Sequence, residues 1–261
     1  MTDESLRLLR EGELAIEGRL LSASNATFVG RLSLDGAESA CVYKPVRGER
    51  PLWDFPDGTL AGRERAAYLL SEASGAGLVP PTMLRDGPFG DGMCQLWIEE
   101  DTDRMLVDVV PEGKIPPGWR HILDAEDHRR RAVSLVHAEH DALRRMVVLD
   151  AIMNNADRKG GHVLVDHDGR VYGVDHGVSF HEEPKLRTVL WGWAGERLPE
   201  SCVEVVRRVR RWLDSADADE LGELLTKAEI DALHERAAAI LRSDEFPLPR
   251  SDWRAIPWPA F

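Results

Sequence analysis

The sequence reads LDAIMNNADRKGGH over residues 149–162 and VDHG over residues 174–177. Asp157 follows an apolar helical pattern, whereas Asp175 ends a short strand pattern and precedes a glycine. A hairpin with Asp168-Gly169 as its turn is expected between the two acidic residues and would bring them together. Phosphoryl transfer from a nucleotide needs one carboxylate that orients the attacking hydroxyl and another that holds a metal ion on the phosphates. The two stretches therefore predict phosphoryl-transfer chemistry, because kinase-type sites place the two carboxylates at a similar separation.

Composition limits the classes of protein that the chain can be. Its 261 residues suffice for one large domain or for two lobes that share a cleft, and 43% of them are hydrophobic, enough for a sizeable core. A net charge of −13 argues against a general nucleic-acid binder or a binder of anionic membranes, since both need a basic surface. No apolar run reaches the roughly 18 residues of a membrane span, so stable membrane insertion is not expected. The oligomeric state is not indicated by the sequence.

The start of the chain and its cysteines predict a cytoplasmic protein. The first residues are too acidic and too polar for a signal peptide. Cys41, Cys94 and Cys202 are few, odd in number and far apart, which favours neither a disulfide framework nor a zinc ribbon. This usage of cysteine suits a reducing compartment.

The pattern of apolar residues changes after about one hundred residues. The first part predicts a short helix at 4–11, a helix at 60–74, and strands at 13–21, 27–34, 40–45, 82–84 and 93–99. The second part predicts helices near 124–138, 140–154, 201–213, 217–225 and 227–243. We therefore expect an α+β fold with an antiparallel-sheet N-lobe over residues 1–99, a mainly helical C-lobe over residues 100–261 and a hinge near 99–102.

Candidate nucleotide-binding residues lie in the first part. Lys44 ends a strand pattern and could reach phosphates if Glu64, on the following helix, fixed its ammonium group. The alternative is a surface lysine on an edge strand. The small polar loop at 22–26, with Ser24 and Asn25, could cover phosphates through its backbone N–H groups. It lacks a Gly-x-Gly-x-x-Gly pattern, so a plain hairpin turn is an equal alternative.

Candidate catalytic residues surround the opening motif. Asp157 is the expected base for the acceptor hydroxyl, and Arg158 is expected to neutralise or orient its carboxylate. Asp150 and Asn155 are expected to anchor the loop, Asp150 through backbone or Arg158 contacts. Asp175 would bind Mg²⁺, which prefers carboxylate oxygens, phosphate oxygens and water. The alternative is a polar loop that only caps a helix.

Two further groups of charged residues leave alternatives open. Several histidines crowd the same region and could serve a metal hydrolase together with the acidic pair, namely His137, His140, His162, His176 and His181. No His-Glu-x-x-His motif accompanies them, so most are expected to be hydrogen-bonded structural residues. Lys185 and Arg187 could grip an anionic substrate or belong to a solvated charged loop.

Five short motifs together resemble a known family. They are Tyr43-Lys44-Pro45, Val79-Pro80-Pro81-Thr82, Gln95-Leu96-Trp97-Ile98, Asn155-Ala156-Asp157-Arg158 and Val174-Asp175-His176-Gly177. The combination resembles the phosphatidylinositol 3-/4-kinase-related branch of the protein-kinase-like superfamily over roughly residues 12–195. It is most similar to the short actinobacterial members of that branch, and more distantly similar to type II phosphatidylinositol 4-kinases and HipA-like kinases.

The resemblance implies a bilobal protein-kinase-like fold with ATP between the lobes. Lys44 would contact phosphates and pair with Glu64, Asp157 would be catalytic, and Asp175 would take the metal. The residues implied in backbone hydrogen bonding to adenine are Leu96, Trp97, Ile98 and Glu99.

One position departs from the family pattern. His162 stands five residues after Asp157, where the family usually has an asparagine that binds the metal. Imidazole suits Mn²⁺ better than Mg²⁺. Either His162 changes the metal preference, Asp175 works with a single ion, or activity is reduced.

The sequence thus predicts an ATP- and divalent-metal-dependent phosphotransferase, using Mg²⁺ or Mn²⁺. Its acceptor would be a hydroxyl of a small polyol of the inositol type, a lipid or a protein. The first alternative is a catalytically weak or inactive kinase-fold module that binds nucleotide. A histidine/aspartate metal hydrolase and a nucleotidyl transferase with ATP held in reverse are further alternatives.

Overall fold

The structure, a computed structural model, describes residues 3–20, 25–56, 58–252 and 254–261. The strands in these ranges are β1 (Glu13–Arg19), β2 (Phe28–Leu34), β3 (Ala37–Pro45), β4 (Thr82–Arg85), β5 (Gly92–Leu96), β6 (Val107–Pro111), β7 (Trp119–Glu126), β8 (Ala132–Ala138), β9 (Val163–Val165) and β10 (Val171–Gly173). The α-helices are α1 (Asp3–Glu11), α2 (Leu60–Ser74), α3 (Asp141–Met153), α4 (Glu200–Leu213), α5 (Leu221–Leu224) and α6 (Lys227–Ser243). The predicted fold class, α+β with an antiparallel-sheet first lobe and a mainly helical second lobe, is confirmed.

A five-stranded antiparallel sheet forms the first lobe, in the order β1-β2-β3-β5-β4. Successive side chains of a strand point to opposite faces, so β3 has two distinct sides. Cys41 and Tyr43 are buried on one side, where α1 covers part of the sheet with Leu8 and Leu9. Val42 and Lys44 therefore face the opposite side, toward the second lobe.

Helix α2 packs between this sheet and the helices of the second lobe. It begins where the carboxylate of Glu49 accepts the N–H groups of Leu60 and Ala61 at 3.1 and 2.9 Å, which satisfies two unpaired donors of the first turn. It ends at Gly75, whose φ of +70° places it in the left-handed region that glycine adopts easily. Helix α2 thus has the predicted bounds and carries Glu64 into the molecule.

The prediction of a helix near 124–138 is wrong. These residues form the β7–β8 hairpin, which joins β6 in a three-stranded sheet of the second lobe. Its turn is built by Asp127, whose Oδ1 accepts the N–H groups of Arg129 and Arg131 at 2.8 and 2.9 Å, while Arg130 has a φ of +57°. An aspartate that binds the backbone two residues on favours a turn over a continuing helix.

The helical part of the second lobe surrounds α3. Asn154 ends α3 with a φ of +55°, and its side chain donates to the carbonyls of His181 and Glu183. Helix α6 begins with the predicted capping box of Thr226 and Glu229. The fixed end of α3 determines where the motif at 155–162 leaves the helix. No described helix is long and apolar enough to cross a membrane.

A buried ion pair fixes α2 to the second lobe. Arg63 of α2, only 1% exposed, donates to Glu229 Oε1 at 2.5 Å and to the carbonyl of Ser179 at 2.6 Å. Breaking a buried pair by removing one partner leaves an uncompensated buried charge.

We expect the substitution Arg63→Met to destabilise the protein by about 3–5 kcal/mol, because it leaves Glu229 without its partner. The matched control is Arg207→Met, which breaks an exposed pair with Glu200 and should cost at most about 1 kcal/mol. Chemical unfolding of both variants measures the difference. Equal, small losses would show that the buried pair does not fix α2.

Candidate active site

A cleft of about 900 Å³ lies between the open face of the first-lobe sheet and the loops of the second lobe. Both lobes contribute charged side chains to its lining. These include Lys44 from the first lobe and Asp157, Lys159, His162 and Asp175 from the second. The volume is in the range of small-molecule and cofactor sites.

Lys44 lies between two carboxylates inside this cleft. Its Nζ is 2.7 Å from Glu64 Oε1 and 2.8 Å from Asp175 Oδ1. Burial disfavours the charged ammonium, but the attraction of Asp175 and Glu64 outweighs it and raises the pKa of Lys44. Lys44 is therefore a fixed cation, in contact with the glutamate that the sequence predicted as its partner.

Glu64 connects this lysine to the turn after β10. Its second oxygen, Oε2, accepts the N–H of His176 at 2.9 Å, and its side chain is only 2% exposed. The preceding residue, Asp175, has a φ of +62°, which aspartate tolerates better than most residues. The charge of Lys44 lowers the pKa of Asp175. The carboxylate of Asp175 is half-exposed to the cleft. Asp175 is thus an ionised group at a defined place beside Lys44.

Asp157 lies on the loop after α3. The loop is shaped by Asn155, whose Oδ1 accepts the N–H of Asp157 at 2.9 Å. Lys159 Nζ lies 3.2 Å from Asp157 Oδ2. Burial raises the pKa of Asp157 and Asp175 adds to this, although Lys159 and Arg187 oppose it. A carboxyl with a raised pKa is a stronger base when ionised.

Arg158 does not contact the carboxylate of Asp157 as the sequence analysis expected. Its fully buried guanidinium forms two hydrogen bonds of 2.9 Å with the carboxylate of Asp150 and donates to the carbonyl of Val174 at 2.9 Å. Its Nη2 also lies 2.7 Å from Nε2 of His176. These contacts join α3 to the strand end before Asp175. Asp150 anchors the loop through Arg158, and Asn155 binds Asp150 at 2.9 Å.

A second segment, residues 183–190, pairs with the loop that carries Asp157. Arg187 accepts the N–H of Arg158 and donates its own N–H to Asn155, and its Nε donates to the carbonyl of Ala156 at 2.6 Å. Lys159 and this pairing were missed by the sequence analysis. Lys159 could have been found, since it lies two residues after Asp157. The pairing could not, because residues 183–190 have no strand periodicity.

The strand end expected to bind adenine is shorter than predicted. Strand β5 ends at Leu96, and residues 97–99 continue along the cleft lining. The N–H of Trp97 donates to Ala40, which leaves Ile98 and Glu99 as the better-placed backbone for a base. Asn25 lines the other side of the cleft, and its Oδ1 accepts the N–H of Arg50 at 2.9 Å. Ser24 lies outside the described residues.

Asp175 and His162 are the side chains that fit a divalent ion. His162 Nε2 lies 3.5 Å from Asp175 Oδ2, and burial lowers the pKa of His162 to about 4, so its imidazole is neutral at pH 7. In the part of the chain that the structure describes, no group of three or more His, Cys, Asp or Glu side chains could hold a metal. Mg²⁺ commonly uses one or two carboxylates and completes its shell with phosphate oxygens and water. The pair therefore offers one carboxylate and one imidazole, which is part of such a shell.

The other histidines of the metal-hydrolase alternative contact different groups. Nε2 of His137 accepts the N–H of Gly192, and Nδ1 of His140 accepts the N–H of Ala142 at the start of α3. Nδ1 of His181 accepts the N–H of Glu183. His176 is bound to Arg158. Each of these four histidines therefore has a structural contact with a group other than Asp157 or Asp175.

Comparisons with known proteins give a relative that is similar over the whole chain. No family model matches the chain. The chain is 48% identical over 270 residues to "Protein Rv2133c" from Mycobacterium tuberculosis, and the match covers 100% of this chain and 97% of that protein. Among solved structures, the Helicobacter pylori proinflammatory kinase CtkA is similar with a TM-score of 0.45 and 11% identity, covering 91% of this chain and 94% of that chain.

The contact between Lys159 and Asp157 predicts how the carboxyl titrates. Lys159 lowers the pKa of Asp157 by its charge and its hydrogen bond, so Lys159→Met should raise that pKa further above its usual value. Carboxyl-carbon NMR shifts, followed against pH, measure the change. The control Lys114→Met removes an exposed lysine in the loop after β6 and should leave the titration unaltered. A downward shift in Lys159→Met would contradict this assignment of charges.

Proposed function

The chain belongs to the same family as Protein Rv2133c of Mycobacterium tuberculosis, and we propose that it is an ATP- and divalent-metal-dependent kinase that phosphorylates a hydroxyl group. One observation carries the proposal. Lys44 is held between Glu64 and Asp175, on the cleft that Asp157 also lines. A cation fixed for phosphates, a metal-binding carboxylate and a base are the parts that phosphoryl transfer to a hydroxyl requires.

ATP would lie along the first-lobe face of the cleft. The adenine ring would bind the backbone of Ile98 and Glu99, and the phosphates would reach Lys44. The ammonium group needs no further ordering, since Glu64 already fixes it. Asn25 lies where the loop before β2 would cover the phosphates.

Asp175 and His162 would hold the metal ion, which supplies positive charge to the phosphate oxygens as charge moves onto the leaving group. Asp175 also contacts the ammonium of Lys44. This side of the cleft therefore offers the triphosphate both a cation of the chain and ligands for a second cation.

Asp157 would accept the proton of the acceptor hydroxyl. The acceptor oxygen forms a bond to the γ-phosphorus, the bond from that phosphorus to the bridging oxygen breaks, and ADP leaves with the electron pair. Burial of Asp157 raises its pKa, so its carboxylate takes the proton more readily than an exposed one. Lys159, next to Asp157, limits the negative charge that collects there.

We propose a small soluble polyol with an anionic group, such as an inositol phosphate, as the first acceptor to test. Lys185 and Arg187 line the cleft on the side of Asp157, and the ammonium of Lys185 is buried against Asp54 at 2.9 Å. Cations held in place by neighbouring groups recognise phosphate with little loss of side-chain entropy. A lipid or a protein hydroxyl is the alternative acceptor, and all three are distinguished by the labelled product.

A second candidate function is a kinase-fold module that binds nucleotide but turns it over weakly or not at all. His162 favours it, because the residue stands where the resembling family has a metal-binding asparagine. ATP binding without turnover in Mg²⁺ and in Mn²⁺ would select this candidate. A cytoplasmic location is proposed for either function, since all three cysteines are free.

The test of the main proposal uses γ-labelled ATP, a cell extract and either Mg²⁺ or Mn²⁺. Asp157→Asn should lower transfer by about 10²–10⁴-fold while ATP still binds, because only the base is lost. Asp175→Asn should abolish transfer and also weaken metal-dependent nucleotide binding. Asp217→Asn changes an exposed aspartate that does not line the cleft and should transfer like the unaltered protein. Undiminished transfer in Asp157→Asn would end the proposal.

Metal preference tests the role of His162. The substitution His162→Asn replaces an imidazole by an amide oxygen, so we expect the preference for Mn²⁺ over Mg²⁺ to fall by roughly tenfold, which is about 1.4 kcal/mol. Electron paramagnetic resonance of bound Mn²⁺, competed with Mg²⁺ in the presence of ATP, reads this without turnover. The matched control His128→Asn changes an exposed histidine of the β7–β8 turn. An identical preference in both variants would remove His162 from the metal site.

A further inference from the structure

The segment Ala255–Phe261 runs against the loop that carries Asp157. The carbonyl of Ala260 accepts the N–H of Gly160 at 2.8 Å. The ring of Phe261 lies so close to Gly160 that a Cβ at that position would be 2.3 Å from a ring carbon. The segment therefore contacts the loop at a point three residues after Asp157 and two before His162.

Ala255, at the other end of the segment, binds the strand-like residues around Thr188. These residues pair with the loop that carries Asp157. The carbonyl of Ala255 accepts the N–H of Thr188 at 3.0 Å and the indole N–H of Trp191 at 2.8 Å. Thr188 is fully buried and follows Arg187, which pairs with the loop through Asn155 and Arg158. The loop is thus held from two sides by one short segment.

The segment attaches by few contacts. Ile256 and Ala260 pack against the main core, whereas Trp258 is 78% exposed and Phe261 is 45% exposed. Pro257 and Pro259 restrict its backbone before it docks, so docking loses less conformational entropy. Such a segment can hold a loop in place.

We propose that Ala255–Phe261 is a positioning element of the active site, with Phe261 as its main contact. It holds Gly160 and, through Thr188, the backbone of residues 155–158. Asp157, Lys159 and His162 keep their places because the loop cannot move away from the cleft. The kinetic consequence rests on the proposed kinase function, whereas the structural consequence does not.

The experiment compares Phe261→Ala with Trp258→Ala, an exposed aromatic residue of the same segment. Amide exchange of glycine-labelled protein reports on Gly160 directly. We expect exchange at Gly160 to rise at least tenfold in Phe261→Ala and to stay unchanged in Trp258→Ala. Turnover should fall about 10- to 100-fold, because a shift of about 1 Å in a catalytic group has an effect of that size. KM for ATP should change less than turnover, because Lys44 and Glu64 do not lie on this loop.

A second pair of variants separates positioning from a general loss of stability. In Gly160→Ala the new methyl group meets the Phe261 ring and should displace it, whereas nothing lies within 4 Å of a Cβ at Gly161. Gly161→Ala should therefore leave the segment docked, as judged by the absence of trypsin cleavage after Arg254. The double variant Gly160→Ala/Phe261→Ala should be no slower than Phe261→Ala alone, since the two changes act through one contact.

Two results would overturn the proposal. One is unchanged exchange at Gly160 in Phe261→Ala. The other is faster exchange there with undiminished turnover. If the unaltered protein transfers no phosphate at all, the kinase proposal fails, but exchange and trypsin cleavage still decide whether the segment holds the loop.

Discussion

The ammonium group of Lys44 is the contact on which the arrangement of the site depends. It brings together β3, helix α2 and the turn after β10, because its two partners, Glu64 and Asp175, come from different parts of the chain. Two carboxylates around one ammonium leave an excess negative charge, and Asp175 is the half-exposed member of the group. A divalent cation beside Asp175 would balance that charge. Under the proposed function, this excess charge would favour a metal ion that arrives with the nucleotide.

Buried ion pairs behind the cleft hold these groups in place. Arg158 and Asp150 are fully buried and join α3 to the loop, and Arg63 and Glu229 join α2 to α6. Buried pairs add little net stability because both charges lose their hydration. Their geometric effect is larger, since the bidentate contact of Arg158 with Asp150 fixes both direction and distance. These buried contacts therefore limit how far the side chains that face the cleft can shift.

Local patterns in the sequence predicted the parts of this site that depend on strand and helix periodicity. Lys44 faces the cleft because alternate residues of β3 do, and α2 begins and ends where its pattern does. The helix predicted near 124–138 failed for a physical reason. The charged residues 126–131 match a helical surface as well as a turn, and only the hydrogen bonds of Asp127 decide between them.

The contacts that the sequence could not predict are those between distant segments. The sequence offered both Asp157 and Asp150 as contacts of Arg158, and only folding shows that its guanidinium binds Asp150 on the preceding helix. The docking of Ala255–Phe261 was equally hidden, since a proline-rich segment has no periodicity that reveals its partner. Sequence spacing therefore predicted which residues lie at the cleft better than it predicted what holds them there.

The two adjacent glycines of the loop show why it needs support from outside. Glycine loses more backbone entropy on ordering than any other residue, so Gly160-Gly161 would weaken a loop that had to order itself. Gly160 is explained by the Phe261 ring, which occupies the space of a side chain. Gly161 has no neighbour within 4 Å of a Cβ, yet it lines the cleft between Lys159 and His162. The support that the Phe261 ring gives therefore acts at Gly160, and no described neighbour lies near enough to Gly161 to support it in the same way.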